Sequence, residues 1–177
     1  FPLFIEAITP LIKQEQDLFM VCVGGDPFNL DERALLKDLG VGDRIIQKNL
    51  SDSELLFAYR NAQCLTFPSL YEGFGMPVLE AMACGAPVIA LNNTAFPEFA
   101  GGIALLLPDA LPDTLADGML KIIRDPSIRR NMVLAGPQRA AAYDWSLVTH
   151  MYLKLLMDLA QRTERTGWNR QLAGERQ

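Results

Sequence analysis

A chain of 177 residues, half of them hydrophobic, is long enough for one domain with a sizeable core. Its formal net charge of −5 argues against a nucleic-acid partner, whose phosphates call for a basic surface. No apolar run reaches the roughly 18 residues of a membrane span, and no signal peptide is visible in the sequence.

In chain order, the apolar spacing predicts a helix over 1–14 and a strand over 18–23, the latter running into Gly24 and Gly25. A helix near 31–39 leads to a strand at 44–48. Ser51-Asp52-Ser53-Glu54 is a capping box that opens a helix ending about residue 62. Cys64-Leu65-Thr66-Phe67-Pro68 reads as a short buried strand stopped by proline. Val78, Leu79, Met82 and Ala83 then recur at helical spacing, with Gly85 where a helix C-terminus favours it. Strands at 87–91 and 103–107 flank a short helix near 97–100. Three helices follow, at about 112–124, 126–142 and 145–163, the last two with Asp125 and Asp144 as N-caps. Residues 1–163 are expected as one domain and 164–177 as a polar tail. Alternating strands and helices imply a Rossmann-like α/β fold: a doubly wound parallel sheet with helices on both faces and ligands at the carboxyl ends of the strands.

Cys22, Cys64 and Cys84 are odd in number, far apart and set among apolar neighbours, so they are expected to be reduced, buried and structural, in a cytoplasmic compartment. With no Cys-x-x-Cys pair and one histidine, no metal site is expected. His150 falls on the polar side of the last helix. The apolar stripe of that helix is Trp145, Val148, Met151, Tyr152, Leu155, Leu156 and Leu159, which reads as a core stripe or as an interface.

The stretch from Ser69 to Gly85 carries the chemistry. Glu72 and Glu80 lie on either side of a turn flexed by Gly73 and Gly75, and Pro77 suits the first helical position, which needs no amide hydrogen. A helix N-terminus there offers backbone N–H groups near Gly75, Met76 and Val78 and the positive end of the helix dipole, which together form an anion site. Glu72 in the turn and Glu80 one turn inside the helix are expected to flank opposite ends of a ligand. Each carboxylate is an acceptor for paired hydroxyls, so the layout suits a sugar attached to a diphosphate. A glycosidase would instead need two carboxylates facing each other across one bond.

The run Pro68-Ser69-Leu70-Tyr71-Glu72-Gly73-Phe74-Gly75-Met76-Pro77-Val78-Leu79-Glu80-Ala81-Met82-Ala83-Cys84-Gly85 resembles the signature of retaining GT-B glycosyltransferases of group 1, family 4. The resemblance extends through Pro87–Ala90, the loop Asn92–Glu98, Gly102–Pro108, Asp125–Arg129 and Tyr143–Ser146, and covers roughly residues 1–160. It implies the C-terminal, donor-binding half of a GT-B fold. It puts the catalytic assignment on Glu72, binding hydroxyls of the donor sugar, and gives Glu80 the nucleotide ribose. Amides of Phe74, Gly75 and Met76, joined by that of Val78, would surround sugar and phosphates, with Gly73 among the binding residues of the turn. Lys48 would lie at the base pocket, largely through main-chain groups, and Gly24 at a glycine turn near the donor.

The resemblance implies a nucleotide-sugar as substrate, with no cofactor. GDP-mannose is favoured by the loop Asn92–Glu98, and a UDP-sugar stays open. The acceptor would be a glycan or lipid-linked glycan bound through an N-terminal domain outside this chain, with peripheral membrane contact of the whole enzyme. An Arg and a Lys that bind the diphosphate in such enzymes have no counterpart here, so the chain alone is expected to bind nucleotide weakly and to be inactive. Other readings stay open: a GT-B phosphorylase or sugar-nucleotide epimerase, and a non-catalytic nucleotide-binding module. A receiver-like domain is disfavoured because Asp26 stands alone at the end of the first strand.

Overall fold

Alternating apolar spacing becomes alternating structure. In the computed structural model, which describes residues 1–166, the order is α1 (Pro2–Gln14), β1 (Met20–Val23), α2 (Leu30–Asp38), β2 (Ile45–Lys48), α3 (Asp52–Asn61), β3 (Leu65–Phe67), α4 (Met76–Ala83), β4 (Val88–Leu91), α5 (Phe96–Ala100), β5 (Leu105–Leu107), α6 (Pro112–Arg124) and α7 (Pro126–Ala140). A 3₁₀ turn at Ala141–Tyr143 and α8 (Trp145–Thr166) follow. Two compact units result, the first spanning Phe1–Ala140 and the second beginning at Ala141. Residues 164–166 continue α8, and the rest of the stretch expected as a tail lies outside the described residues.

Local chemistry sets the helix starts. Ser51 and Glu54 form the expected capping box on α3, and Asn29 with Glu32 forms a second on α2, with Glu32 N–H to Asn29 Oδ1 and Asn29 N–H to Glu32 Oε2 both 2.9 Å. Asp125 caps α7 by accepting from Ser127 N–H at 2.9 Å, and Asp144 caps α8 by accepting from Ser146 N–H at 2.8 Å. Pro10 sits inside α1 on its exposed side, so the carbonyl its ring leaves unpaired, that of the exposed Glu6, faces water.

All strand pairings are parallel. β1 pairs with β2 from Met20↔Ile45 to Val23↔Lys48; β4 lies between β3 (Leu65↔Val88) and β5 (Ile89↔Leu105). The sheet expected as continuous is thus two parallel ladders, and β1 and β3 each keep an edge that pairs with no strand among the described residues. Both ladders feed one core. Ile45 from the first and Ile89, Leu91 and Leu107 from the second join Ile5, Ile8, Leu11 and Ile12 of α1 and Leu115, Met119 and Ile122 of α6. Each such side chain contributes about 1.5–3 kcal/mol relative to an exposed position. β4 is buried along its whole length, as a strand covered on both faces must be.

Two contacts brace the helices that carry the Glu72–Glu80 turn. Gly136 lets α7 approach α4 closely, since a Cβ there would lie 2.9 Å from the Met82 carbonyl oxygen. Arg129 of α7 reaches past the end of α3, donating to Gln63 O and Gln63 Oε1, both at 2.7 Å, and to Ala62 O at 3.3 Å.

The three cysteines are free thiols, and each is half-buried where its apolar neighbours in sequence predict full burial. Burial, with Glu32 adding to it, pushes Cys22 up to about 11, and burial raises Cys64 and Cys84 as well. In the second unit, described by itself, α8 leaves the predicted stripe largely exposed, including Trp145, Met151, Tyr152, Leu155 and Leu156. The described part of that unit is α8 and a single 3₁₀ turn, so no second element within it covers the stripe. His150 is exposed, as its polar side predicts. No helix among the described residues is long and apolar enough to cross a membrane.

Candidate functional site

β3 ends at Phe67 and α4 begins at Met76, so Pro68–Gly75 forms the turn at the carboxyl end of a parallel strand. Gly75 is the N-cap, in the left-handed region at φ 91°, ψ 58°. Its carbonyl accepts from Val78 N–H at 3.0 Å and Leu79 N–H at 3.4 Å. This corrects two expectations. The amide of Val78 is engaged in the helix, and Val78 is fully buried, so it is not offered to a ligand. Pro77 occupies the second helical position, because the glycine cap starts the helix one residue earlier than proline alone signals. The amides of Gly75 and Met76 have no acceptor among the described residues and stand at the positive end of the α4 dipole.

The turn is held from two directions. Behind it, Phe67 and Phe96 meet edge to face at 6.0 Å, Phe96 meets Phe99 at 6.0 Å, and Phe74 stacks on Phe99 at 4.9 Å with the rings 13° apart. The side chain of Phe74 thereby anchors the turn while its backbone stays in it. Phe96 also enforces glycine at 75, since a Cβ there would run into its ring. From the side, the loop after β4 clamps the segment around Glu72. Asn93 Nδ2 donates to Leu70 O at 2.9 Å and to Ser69 O at 3.4 Å, and the backbone N–H of Glu72 donates to Thr94 Oγ1 at 3.3 Å. Thr94 holds φ 43°, the one described non-glycine residue in the left-handed region, where backbone strain commonly marks a functional loop. Sequence reading linked this loop to the site but missed the clamp; the only signal was a run of Asn-Asn-Thr at a strand's carboxyl end.

Glu72 is half-buried in the turn before α4, and Glu80 is exposed on the second turn of α4. Glu80 has a neighbour that sequence reading missed: Tyr59, buried on α3, directs its hydroxyl to Glu80 Oε2 at 3.5 Å.

Lys48 and Gly24 form a second group, at the carboxyl end of the β1–β2 ladder. Gly24 N–H donates to Lys48 O at 3.0 Å, and Gln47 Nε2 donates to Gly24 O at 3.1 Å and Gly25 O at 3.2 Å. Gly24 and Gly25 take φ 82° and 76°, so the glycine turn is required by the backbone. Lys48 also lines an open apolar cleft with Val21, Ile46 and Phe57, whereas the Glu72–Glu80 turn is an open surface carrying exposed Tyr71 and Met76. No three His, Cys, Asp or Glu side chains converge among the described residues in a way that could hold a metal.

Comparison with known proteins places this geometry. The family model described as "Glycosyl transferases group 1" matches residues 1–139. Among curated relatives, O-antigen chain mannosyltransferase B of Escherichia coli is 36% identical over 98 residues, 55% of this chain and 26% of that protein. The MMP alpha-(1->4)-mannosyltransferase of Mycolicibacterium hassiacum is 32% identical over 142 residues, 77% of this chain and 34% of that protein. The chain thus spans about a quarter to a third of these relatives. Among solved structures, the sucrose-phosphate synthase of Thermosynechococcus elongatus superposes with a TM-score of 0.72 at 29% identity, over 91% of this chain and 43% of that one. The C-terminal domain of a glycosyl transferase group 1 family protein from Francisella tularensis gives 0.68 at 29% identity, over 80% of this chain and 77% of that one. The fold is the Rossmann-like C-terminal domain of GT-B glycosyltransferases, and with a family model matched over most of its length, the chain belongs to the glycosyl transferases of group 1.

Proposed function

We propose that this chain is the donor-binding part of a retaining, family 4 hexosyltransferase that moves a sugar from a nucleotide diphosphate to a glycan or lipid-linked glycan. The observation that carries the reading is the start of α4: a left-handed glycine cap and two unengaged amides, Gly75 and Met76, with Glu72 before them and Glu80 after. In this reading Glu72 holds hydroxyls of the sugar and Glu80 the ribose diol, while the diphosphate lies on the helix N-terminus. As the sugar leaves, charge grows on the phosphate, and fixed amides aimed at that charge lower the barrier without reorganising. Gly73 and Phe74 shape the sugar side, and Lys48 and Gly24 border the base.

The favoured donor is GDP-mannose, supported by two relatives named as mannosyltransferases; a UDP-sugar is the alternative. The donor is a substrate, and no cofactor enters the scheme. The acceptor side is assigned to the parts of the longer relatives that this chain does not span, so the chain alone binds nucleotide weakly and turns over little. A cytoplasmic location with peripheral membrane contact of the whole enzyme fits a lipid-linked acceptor.

Calorimetric titration with GDP, UDP and ADP, each beside its nucleotide-sugar, tests the reading. Glu80→Ala should weaken the preferred nucleotide by about 1–3 kcal/mol through lost charged hydrogen bonds. Glu72→Ala should spare the bare nucleotide and weaken only the nucleotide-sugar. Unchanged affinity in Glu80→Ala, or equal losses for both ligands in Glu72→Ala, would remove that residue from its role.

A further inference from the structure

Tyr59 lies on α3, one element before the signature, and its side chain is only 8% exposed. Its hydroxyl lies in a part-buried contact, and the partner it meets there is Glu80 Oε2 at 3.5 Å. Glu80 is otherwise an exposed side chain on a helix, with three rotors and as much rotamer freedom to lose as any side chain. We propose that Tyr59 is a positioning residue: it holds one carboxylate oxygen of Glu80 so that the other meets the ribose diol of the donor nucleotide. This rests on the reading that Glu80 binds the ribose.

The chemistry is one-sided in a useful way. A carboxylate accepts several hydrogen bonds, so the phenol occupies Oε2 without using up the acceptor capacity a diol requires. Burial pushes the Tyr59 phenol up, with the nearby Glu80 carboxylate adding to it, to about 12, so it remains a donor throughout the working range. At 3.5 Å the contact is long for an O–H···O bond, which is why the test below reads the contact directly. A tyrosine present only for packing would fill the same space with its ring and have no bearing on ribose recognition.

The test separates those roles with a ligand change. The full chain is titrated with GDP, or with UDP where that binds tighter, and with the 2′,3′-dideoxy form of the same nucleotide. Wild type should prefer the ribonucleotide. Tyr59→Phe, which keeps the ring, should lose roughly three- to tenfold for the ribonucleotide and nothing for the dideoxy form. It should add no further loss in a Glu80→Ala background. Equal binding of the two nucleotides by wild type sinks the ribose role of Glu80 and this proposal with it. A wild type that discriminates and a Tyr59→Phe that discriminates equally well leaves Glu80 in place and overturns the positioning role alone. The same contact is read without altering Tyr59: its ¹³Cζ resonance at neutral pH should move in Glu80→Ala, and an unmoved resonance also overturns the proposal.

Discussion

Replacing Gly75 by alanine tests the backbone on which the whole site depends. At φ 91°, ψ 58° the residue occupies the left-handed region, and a side chain there costs about 1–2 kcal/mol. The new methyl would also drive into the edge of Phe96, with Cζ 3.1 Å away and Cε1 closer still. Phe96 cannot retreat, being fully buried and braced at 6.0 Å by both Phe67 and Phe99, so overpacking adds about 1–3 kcal/mol. The two terms sum to about 2–5 kcal/mol, a large share of the 5–15 kcal/mol by which a typical domain is folded. Guanidinium denaturation followed by circular dichroism should show a lower midpoint with an unchanged slope. Gly73→Ala is the internal control. Position 73 lies outside the left-handed region and its added methyl meets no atom within 4 Å, so the change should stay within about 0.5 kcal/mol, as for an ordinary surface site. A Gly75→Ala protein within about 1 kcal/mol of wild type would refute the argument, because it would mean that the strain or the Phe96 contact is not borne in solution.

Two further outcomes follow from contacts away from the turn. Arg129→Ala removes a charged donor from three acceptors at the end of α3, two of them exposed to water, and should lower stability by about 0.5–1.5 kcal/mol, with amide exchange rising first at residues 59–63. For pH, Ser51 holds the Glu54 carboxyl below its ordinary 4.5, and Ser127 holds that of Asp125 below its ordinary 3.8. With folded values below the unfolded ones, their contribution is complete above those ordinary values and is lost as pH falls through the depressed ones. Melting temperature should therefore fall less steeply below pH 4.5 in a Glu54→Gln, Asp125→Asn double variant than in wild type; parallel curves would show the caps are already broken in solution.

The elements of this chain were legible because their signals are local. The capping residues Ser51, Asp125 and Asp144, the helix-ending Gly85 and the apolar spacing of α4 each act within four or five residues, and the structure puts each where spacing predicts. The position of the turn between Glu72 and Glu80 was legible for the same reason: glycine and proline leave few backbone options. Where the local rules competed, they misled. Pro77 alone signals a first helical position, but the left-handed cap at Gly75 starts the helix at Met76 and turns the Val78 amide inward.

What spacing could not supply were partners distant in the chain. The clamp of Asn93 and Thr94 on residues 69–72, the ring of Phe96 against Gly75 and the reach of Tyr59 to Glu80 join residues 21 to 24 positions apart. Nor did spacing decide whether the stripe of α8 was core or surface, since burial depends on what packs across a face and not on the face itself. The sequence by itself determined the alternation of strand and helix, the glycine turn and the identity of its two carboxylates, because each is encoded in short-range backbone and side-chain preference. Only the tertiary structure decided which amides stay unengaged, what clamps the backbone at Glu72 and what meets the Glu80 carboxylate, because those depend on how α3, α4 and the loop before α5 pack around one turn.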